Sequence, residues 1–434
     1  MEATLVNLIG NFVSNDNLAR TAAEQQFTSL KTTNTREVLI GLVRLLDPSV
    51  MSEDTVGRQS IVLLAVVLLR GIIIREAALW QSLSPVEFVE CRRIILDALL
   101  LETSPHIRRK IANSVAALSK LSPWPELLTV IQNLGNSNNN SDTTTTTSSS
   151  NLEHNYQLCM YLLEKLSEYI APSLLSDGSI DAVWALIGPT LAKGHQAYTS
   201  SVNIDNNNIQ IIISSGMAVN ALCSLLQETN KLPSSLTYSS DQWNQALISS
   251  IITVRVLANY EDTLNHEACE AMSALLSLAE NHPSHFNSCL DQVLEHALAI
   301  STMTNITYNS NSNIEPYELH PIRSLAMQFT TLLICNPSYS MSFTTESRSI
   351  FLNAAMNGIM EIDTSDEGTT AFLLNDEDDS NNNNSGQLSV MIDISDNEND
   401  NDNGNGSTGH LAATACSCLE QMANSFDSKE IVNT

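Results

Sequence analysis

The stretch SPHIRRKIANSVAALSK, from Ser104 to Lys120, carries the pattern that decides the fold. With the residue that follows it, its apolar positions are Ile107, Ile111, Val115, Leu118 and Leu121. Side chains at steps of three and four residues share one face of an α-helix, whereas a half-buried strand alternates with a period of two. A Ser-Pro pair opens the stretch, which is typical of a helix start. The sequence therefore predicts an amphipathic helix.

The same helical period recurs along the rest of the chain. Further faces of this kind begin at Cys159, Leu290 and Leu325. Proline and glycine are scarce, with 12 and 15 in 434 residues, and few segments show the alternation of strands. The sequence therefore predicts an all-α protein.

The predicted helices come in pairs. The pairs are 2–13 with 16–31, 35–47 with 53–75, 85–101 with 105–121, 124–134 with 152–171, 178–194 with 207–229, 242–260 with 264–281, 286–301 with 318–335, and 346–362 with 410–426. A recurrence of about 40 to 47 residues is the period of HEAT or armadillo repeats. One pair cannot bury both its apolar faces, so neighbouring pairs stack. We expect a right-handed α-solenoid of about eight HEAT repeats; an ordinary helical bundle, or two, is the alternative.

This pattern divides the chain into five segments. We expect N-terminal repeats, a low-complexity insertion rich in Asn, Thr and Ser, central repeats, an acidic disordered loop and the closing helix of the eighth repeat. Their predicted bounds are 1–134, 135–150, 151–362, 363–409 and 410–434.

Charge is distributed unevenly along the chain. Residues 1–130 hold thirteen basic and thirteen acidic residues, whereas the remainder holds seven basic and thirty-five acidic ones, so the whole net charge of −28 lies there. Direct binding of nucleic acid requires Lys and Arg to neutralise phosphates, and is not expected. A basic protein partner fits this balance better.

A long polyanion lies between the two helices of the predicted eighth pair. From Glu361 to Asp402 there are thirteen Asp or Glu residues and no Lys or Arg. With so little to bury, the segment is predicted to be a mobile loop. It is interpreted either as a solvated linker or as a site for basic partners. The candidate contact residues are Asp376, Glu377, Asp378, Asp379, Asp393, Asp396, Glu398, Asp400 and Asp402.

Cysteine usage and hydropathy indicate the compartment. The eight cysteines occur mostly inside apolar helical patterns, as free buried thiols of a reducing compartment do. The N-terminus, MEATLVNLIGNF, has no basic region or cleavage site of a secretory signal. The most apolar run, IVLLAVVLLRGIII, has about fourteen residues and contains Arg70, so it is too short and too charged to span a bilayer. A soluble intracellular protein without membrane insertion is expected.

The sequence contains partial matches to cofactor and metal motifs, but none of these motifs is complete. GNGSTG matches a dinucleotide-binding spacing, but no predicted strand precedes it and its surroundings are anionic. His282, His285 and Cys289, and the pair Cys416 and Cys418, lack the further ligands of a metal site. No nucleophile elbow, P-loop or HExxH sequence occurs. We expect no enzyme activity, no cofactor and no metal.

Four motifs in order carry a family resemblance. A D-x3-R-x2-A-E pattern starts at Asp16, an arginine and an LLR run span Arg58 to Arg70, the basic helix SPHIRRKIANSVAALSK follows, and WPEL begins at Trp124. Together with the acidic loop in the eighth pair, they resemble the importin beta family of nuclear transport receptors (karyopherins), most closely the branch of importin five. The resemblance is to the N-terminal portion, about eight of roughly twenty repeats. The acidic loop lacks the Trp often found in the family's acidic run.

The resemblance implies a nuclear import receptor that moves between cytoplasm and nucleus. Its first repeats and acidic loop would bind Ran-GTP, its cargo would be basic proteins or import signals, and Phe-Gly nucleoporins would insert between helices of the convex surface. Ran-GTP and cargo would compete for the concave face. The alternative is a HEAT scaffold of another class, such as a phosphatase regulatory subunit, without a GTPase switch.

Five basic residues are placed by the resemblance on second helices, which line the concave face in that family. They would either meet the acidic surface of Ran or brace neighbouring repeats. These residues are Arg58, Arg70, Arg108, Arg109 and Lys110.

Overall fold

The computed structural model describes residues 1–47, 57–122, 124–136, 149–176, 180–199, 206–229, 240–259, 264–303, 320–336, 345–360 and 407–425. Within these ranges the regular elements are helices, which confirms the all-α prediction. The α-helices are α1 Glu2–Phe12, α2 Asn17–Thr33, α3 Thr35–Arg44, α4 Arg58–Arg75, α5 Ala77–Gln81, α6 Pro85–Leu101, α7 Pro105–Ser119, α8 Glu126–Asn136, α9 Ser149–Lys165, α10 Ser167–Ser176, α11 Ile180–Thr199, α12 Asn206–Thr229, α13 Ser240–Ala258, α14 Asn265–Asn281, α15 Leu290–Ser301, α16 His320–Cys335, α17 Thr345–Met360 and α18 Ser407–Ser425.

The helices of the described ranges follow the helices of the eight predicted pairs in order, with three local differences. The short helix α5 follows α4, and a 3-10 turn at Pro283–Phe286 precedes α15. The predicted helix 152–171 is interrupted at Leu166, so that α10 is separate from α9. Most of the predicted insertion 135–150 and of the acidic loop 363–409 lies outside the described residues.

The chain divides into two compact units, Met1–Thr190 with Ile204–Leu236, and Leu191–Asn203 with Thr237–Thr434. In the first unit α1, α3 and α6 contact one another in sequence, and so do α4, α7, α9 and α12. The helices of a pair also pack together, as in α1 with α2 and α6 with α7. We call α1, α3 and α6 the first-helix layer, and α4, α7, α9 and α12 the second-helix layer.

The second unit repeats this arrangement. There α13, α15 and α17 contact in sequence, α14, α16 and α18 do the same, and each pair is joined by its own contacts. Stacking of like helices from successive pairs is the packing of HEAT-type repeats, in which each pair buries its apolar faces against its neighbours. Within each unit, the predicted stacking of HEAT-type helix pairs is therefore confirmed.

Capping at α6 shows how the sequence begins a helix. Ser84 precedes Pro85, and its backbone N–H donates to Glu87 Oε2 at 3.0 Å while Glu87 N–H donates to Ser84 Oγ at 3.4 Å. This capping box satisfies donors that a helix start leaves open. The Ser84 hydrogen bond, with Arg36 of α3, lowers the pKa of Glu87 to about 2. The same carboxylate thus joins α6 to α3.

Helix α12 contains an apolar stretch that is longer than the run IVLLAVVLLRGIII. The window Ile209–Glu228 of α12 is long and apolar enough, with a mean hydropathy of 1.8, to cross a membrane by composition. Of that window 67% is buried inside the structure, and α12 packs on α9 and α10. Burial of this kind is typical of a core helix that touches several neighbours.

Candidate partner-binding surface

The predicted acidic site is bracketed by two described helices. Helix α17 ends at Met360, α18 begins at Ser407, and these two helices pack on each other. Gly358 of α17 lies in this packing, because an added Cβ would be 3.5 Å from Leu411 and 3.6 Å from Ala415. The nine acidic candidates from Asp376 to Asp402 lie outside the described residues. Their contacts stay a prediction.

The five basic candidates all lie on helices of the second-helix layer. Arg58 is the first residue of α4 and is half-buried. Arg70, also half-buried, has an Nε that is shielded from solvent and has no hydrogen-bond partner among the described residues. On α7, Arg109 is exposed and Lys110 is half-buried. The side chains of these four residues reach the surface of the layer.

Arg108 differs from the other four because it is buried, with 7% of its surface exposed. Its Nε donates to the carbonyl oxygen of Leu99 at 3.2 Å, and its Nη2 donates to Asn155 Oδ1 at 3.0 Å. Burial lowers the pKa of Arg108, and Glu102 acts in the opposite sense. The side chain of Arg108 therefore joins α6, α7 and α9. Of the two roles considered for it, contact with Ran or bracing of neighbouring repeats, these contacts are those of a brace.

Two cationic side chains lie near the ring of Tyr161 on α9, in the second-helix layer. The Cζ of Arg109 lies 5.9 Å from its ring centroid, and the Nζ of Lys165 lies 5.4 Å from it. The hydroxyl donates to Asn113 Oδ1 on α7 at 2.8 Å. Burial raises the pKa of Tyr161, while Lys165 acts to lower it. Cations near an aromatic face are held electrostatically, which orients these two flexible side chains.

Exposed apolar residues accompany the cations on α4. Val67 is 47% exposed and Ile74 is 62% exposed, one above the other on the helix. Between them an added Cβ on Gly71 would meet nothing within 4 Å. A surface with an apolar centre and basic neighbours is suited to a protein partner. The sequence did not reveal this face, because α4 is apolar all round and its period does not distinguish inside from outside.

The two histidines whose spacing is that of a partial metal motif pack against each other. The rings of His282 and His285 meet edge to face with centroids 6.2 Å apart, and Cys289 is buried nearby in sequence at the start of α15. Within the part of the chain that the structure describes, no group of three or more His, Cys, Asp or Glu side chains is placed to hold a metal ion.

Similarity to known proteins is found at the level of structure. No family model matches the chain, and no curated protein matches its sequence. Kap121p bound to RanGTP superposes with a TM-score of 0.57 and 17% identity over 98% of this chain and 32% of Kap121p. Kap121p bound to the SUMO protease Ulp1p superposes with a TM-score of 0.58 and 16% identity, over 98% of this chain and 33% of Kap121p. Importin beta superposes with a TM-score of 0.55 and 16% identity, over 98% of this chain and 42% of importin beta.

The chain thus spans about a third of the length of the Kap121p structures. Similarity at this level of identity concerns the fold, and it is nearly equal for Kap121p and importin beta. It does not separate the importin five branch from others, which stays a prediction. Over almost its entire described length, the chain has the HEAT-repeat fold of the karyopherins Kap121p and importin beta.

Proposed function

We propose that the chain is the N-terminal portion of a nuclear import receptor of the importin beta type, which binds Ran-GTP and carries basic protein cargo. Two observations support this function. The chain shares its fold with Kap121p in complex with RanGTP. Independently, four sequence motifs in the order of the family occur between Asp16 and Leu127. The first observation carries the proposal, because it spans 98% of the chain.

Ran-GTP is proposed to bind the second-helix layer at α4 and α7. The side chains that support this placement are Val67, Arg70 and Ile74, which share one face of α4 at steps of three and four residues, and Lys110 on α7, which packs on α4. Basic residues around an apolar centre give a partner both long-range attraction and a desolvated contact. Because residues 1–130 are neutral overall, an acidic surface of Ran is not repelled by this part of the chain.

The acidic segment is proposed to attract basic cargo and to assist Ran binding. It holds thirteen of the chain's acidic residues without one basic residue. A flexible polyanion raises the local concentration of a basic surface and releases it when another basic surface competes. Competition between Ran-GTP and cargo would then unload the receptor in the nucleus.

Passage through the pore is proposed to use exposed apolar residues of the first-helix layer. Val86 is 80% exposed and Val89 is 65% exposed, both on α6. Phe-Gly nucleoporins would contact such residues with their aromatic side chains. The receptor would then move between cytoplasm and nucleus, with no catalytic step of its own.

A matched pair of substitutions tests where Ran binds. Val67→Asp and Lys110→Glu should each weaken retention of Ran carrying a GTP analogue by about tenfold or more, because each disturbs the proposed contact. Val86→Asp and Arg93→Glu introduce the same two acidic side chains on α6, at exposed residues. These two controls should retain Ran, and Val86→Asp should weaken binding to a Phe-Gly peptide. Equal effects of both pairs would contradict this placement.

A further inference from the structure

A cleft in the first unit lies between α7, α9 and α12 of the second-helix layer. It is an open recess with a cavity volume of only about 20 Å³, continuous with solvent. It is lined by the basic or polar side chains of Arg108, Arg109, His154 and Gln157, and by apolar surface that includes Tyr161 and Met217. No acidic side chain lines the cleft among the described residues.

Arg108 supplies a buried positive charge to this cleft. Its hydrogen-bond partners, the carbonyl oxygen of Leu99 and the amide oxygen of Asn155, are both neutral. Glu102 influences its pKa, but no ion pair joins the two side chains within the described residues. A charge with 7% exposure costs free energy unless an opposite charge comes close. The cleft beside Arg108 is where such an opposite charge could enter from solvent.

Two further groups at the cleft are suited to the same ligand. Arg109 follows directly on α7, is exposed, and is oriented by the ring of Tyr161 at 5.9 Å. His154 lies half-buried on α9. Guanidinium groups such as that of Arg109 bind carboxylate and phosphoryl oxygens with two parallel hydrogen bonds. The apolar wall formed by Tyr161 and Met217 can hold the stem of the side chain that bears the oxyanion.

We propose that this cleft is an oxyanion site for a peptide side chain of a protein partner, which presents either a phosphoryl or a carboxylate group. The partner differs in charge from the basic cargo proposed above, and the inference does not depend on Ran binding. It assigns Arg109 and His154 to direct contact with the oxyanion, and Arg108 to the charge at the base of the cleft.

Binding is tested by fluorescence anisotropy with the full chain and four labelled peptides. The peptides have glycine on both sides of one central residue, which is phosphotyrosine, phosphoserine, glutamate or tyrosine. We expect at least one anionic peptide to bind about tenfold or more tightly than the tyrosine peptide. Preference for a phosphopeptide identifies a phosphoryl ligand, with inorganic phosphate as a competitor, whereas equal or tighter binding of glutamate identifies a carboxylate ligand. Equal binding of all four peptides overturns the proposal.

Two cleft variants and one control test whether the peptide binds in the cleft. Arg109→Ala and His154→Gln should each lower the affinity for the preferred peptide, because a hydrogen bond to a charged group is lost. For Arg109→Ala we expect a loss of about tenfold. Both positions reach solvent, so the fold is retained, and circular dichroism checks this. Arg93→Ala removes an exposed arginine on α6 and should not change the affinity. Unchanged binding by both cleft variants, or an equal loss in Arg93→Ala, overturns the assignment even if a peptide binds.

Discussion

The guanidinium carbon of Arg92 lies 4.8 Å from the ring centroid of Trp124, which stands just before α8. The same carbon lies 4.1 Å from the ring centroid of Phe88, so the cation is placed between two aromatic rings. Its Nη2 also donates to Ser122 Oγ at 2.7 Å. Since Trp124 is 1% exposed, Arg92 fixes the entry of the fourth pair into the core.

Replacing Arg92 should therefore destabilise the first unit. We expect Arg92→Ala to lower the free energy of unfolding by about 2 kcal/mol, because a partly desolvated cation–π contact is lost. Arg92→Lys should restore less than half of this, since an ammonium group is not planar. Arg93→Ala, which removes surface ion pairs with Glu90 and Asp97, should cost less than about 0.5 kcal/mol. Urea unfolding followed by tryptophan fluorescence measures the losses, and similar losses at both positions would contradict this role.

Gly41 of α3 should resist substitution because α1 lies against it. An added Cβ would be 2.6 Å from Leu5 Cδ1 and 3.1 Å from Met1 Cγ. Leu5 has no exposed surface, so the clash is relieved only by moving the core. We expect Gly41→Ala to lower the thermal midpoint, at a cost of about 1 to 3 kcal/mol. Gly10→Ala adds a Cβ with nothing within 4 Å and should raise stability by about 0.5 kcal/mol. A stabilising Gly41→Ala would refute the α1–α3 packing.

Stability of the second unit should fall as the solution is acidified. Burial lowers the pKa of His296, with Arg255 and His195 acting in the same sense and Glu295 against them. Arg255 Nη1 lies 3.2 Å from His296 Nδ1, so the neutral ring accepts this hydrogen bond. Unfolded His296 binds a proton at its ordinary pKa of 6.5, whereas the folded form binds it only at lower pH. Its contribution is thus present above 6.5 and lost as pH falls through the folded pKa.

The titration of His296 is isolated by comparison with His296→Gln. Urea midpoints are measured at about pH 7.5 and pH 5.5, across the range in which histidine changes charge. We expect the midpoint of the natural chain to fall more between these two values than that of the variant. An equal fall in both proteins would show that other groups account for the pH dependence.

Cysteine labelling should be fastest at one position in the folded chain. The eight cysteines are free, and Cys416 is the exposed one. Burial raises the pKa of Cys159 to about 12 and also raises the pKa of Cys223, so few reactive thiolates form there. Iodoacetamide at mildly alkaline pH should label Cys416 fastest, as located by peptide mass spectrometry. Cys416→Ser should remove the fast reaction, and fast labelling of Cys159 or Cys223 without denaturant would contradict their burial.

Helix pairing was predictable because it depends on local signals. Spacing such as Ile107, Ile111 and Val115 defines a face, and Ser-Pro at residues 104–105 defines a helix start, so predicted and observed ends of α7 differ by two residues or fewer. The short helix α5 and the interruption at Leu166 have no such signal. The free buried thiols Cys91, Cys159, Cys223, Cys289 and Cys418 also agree with the prediction.

Side-chain roles were less predictable because they depend on distant partners. Arg108 and Arg109 are neighbours in sequence, yet about 100° of rotation around α7 directs one into the core and the other to solvent. The partner that holds Arg108 is Asn155, and the ring beside Arg109 is Tyr161, both supplied by α9. Arg92 was not identified from the sequence, since its contact with Trp124 exists only in the folded chain.

Nucleotide-selective binding of Ran tests the proposed function most directly. The full chain is immobilised and offered equal amounts of Ran loaded with a GTP analogue or with GDP. We expect the GTP form to be retained about tenfold or more better, and to be released as salt rises, because charged contacts are screened. Equal retention of both forms, or of neither, would contradict a transport receptor and favour a HEAT scaffold without a GTPase switch.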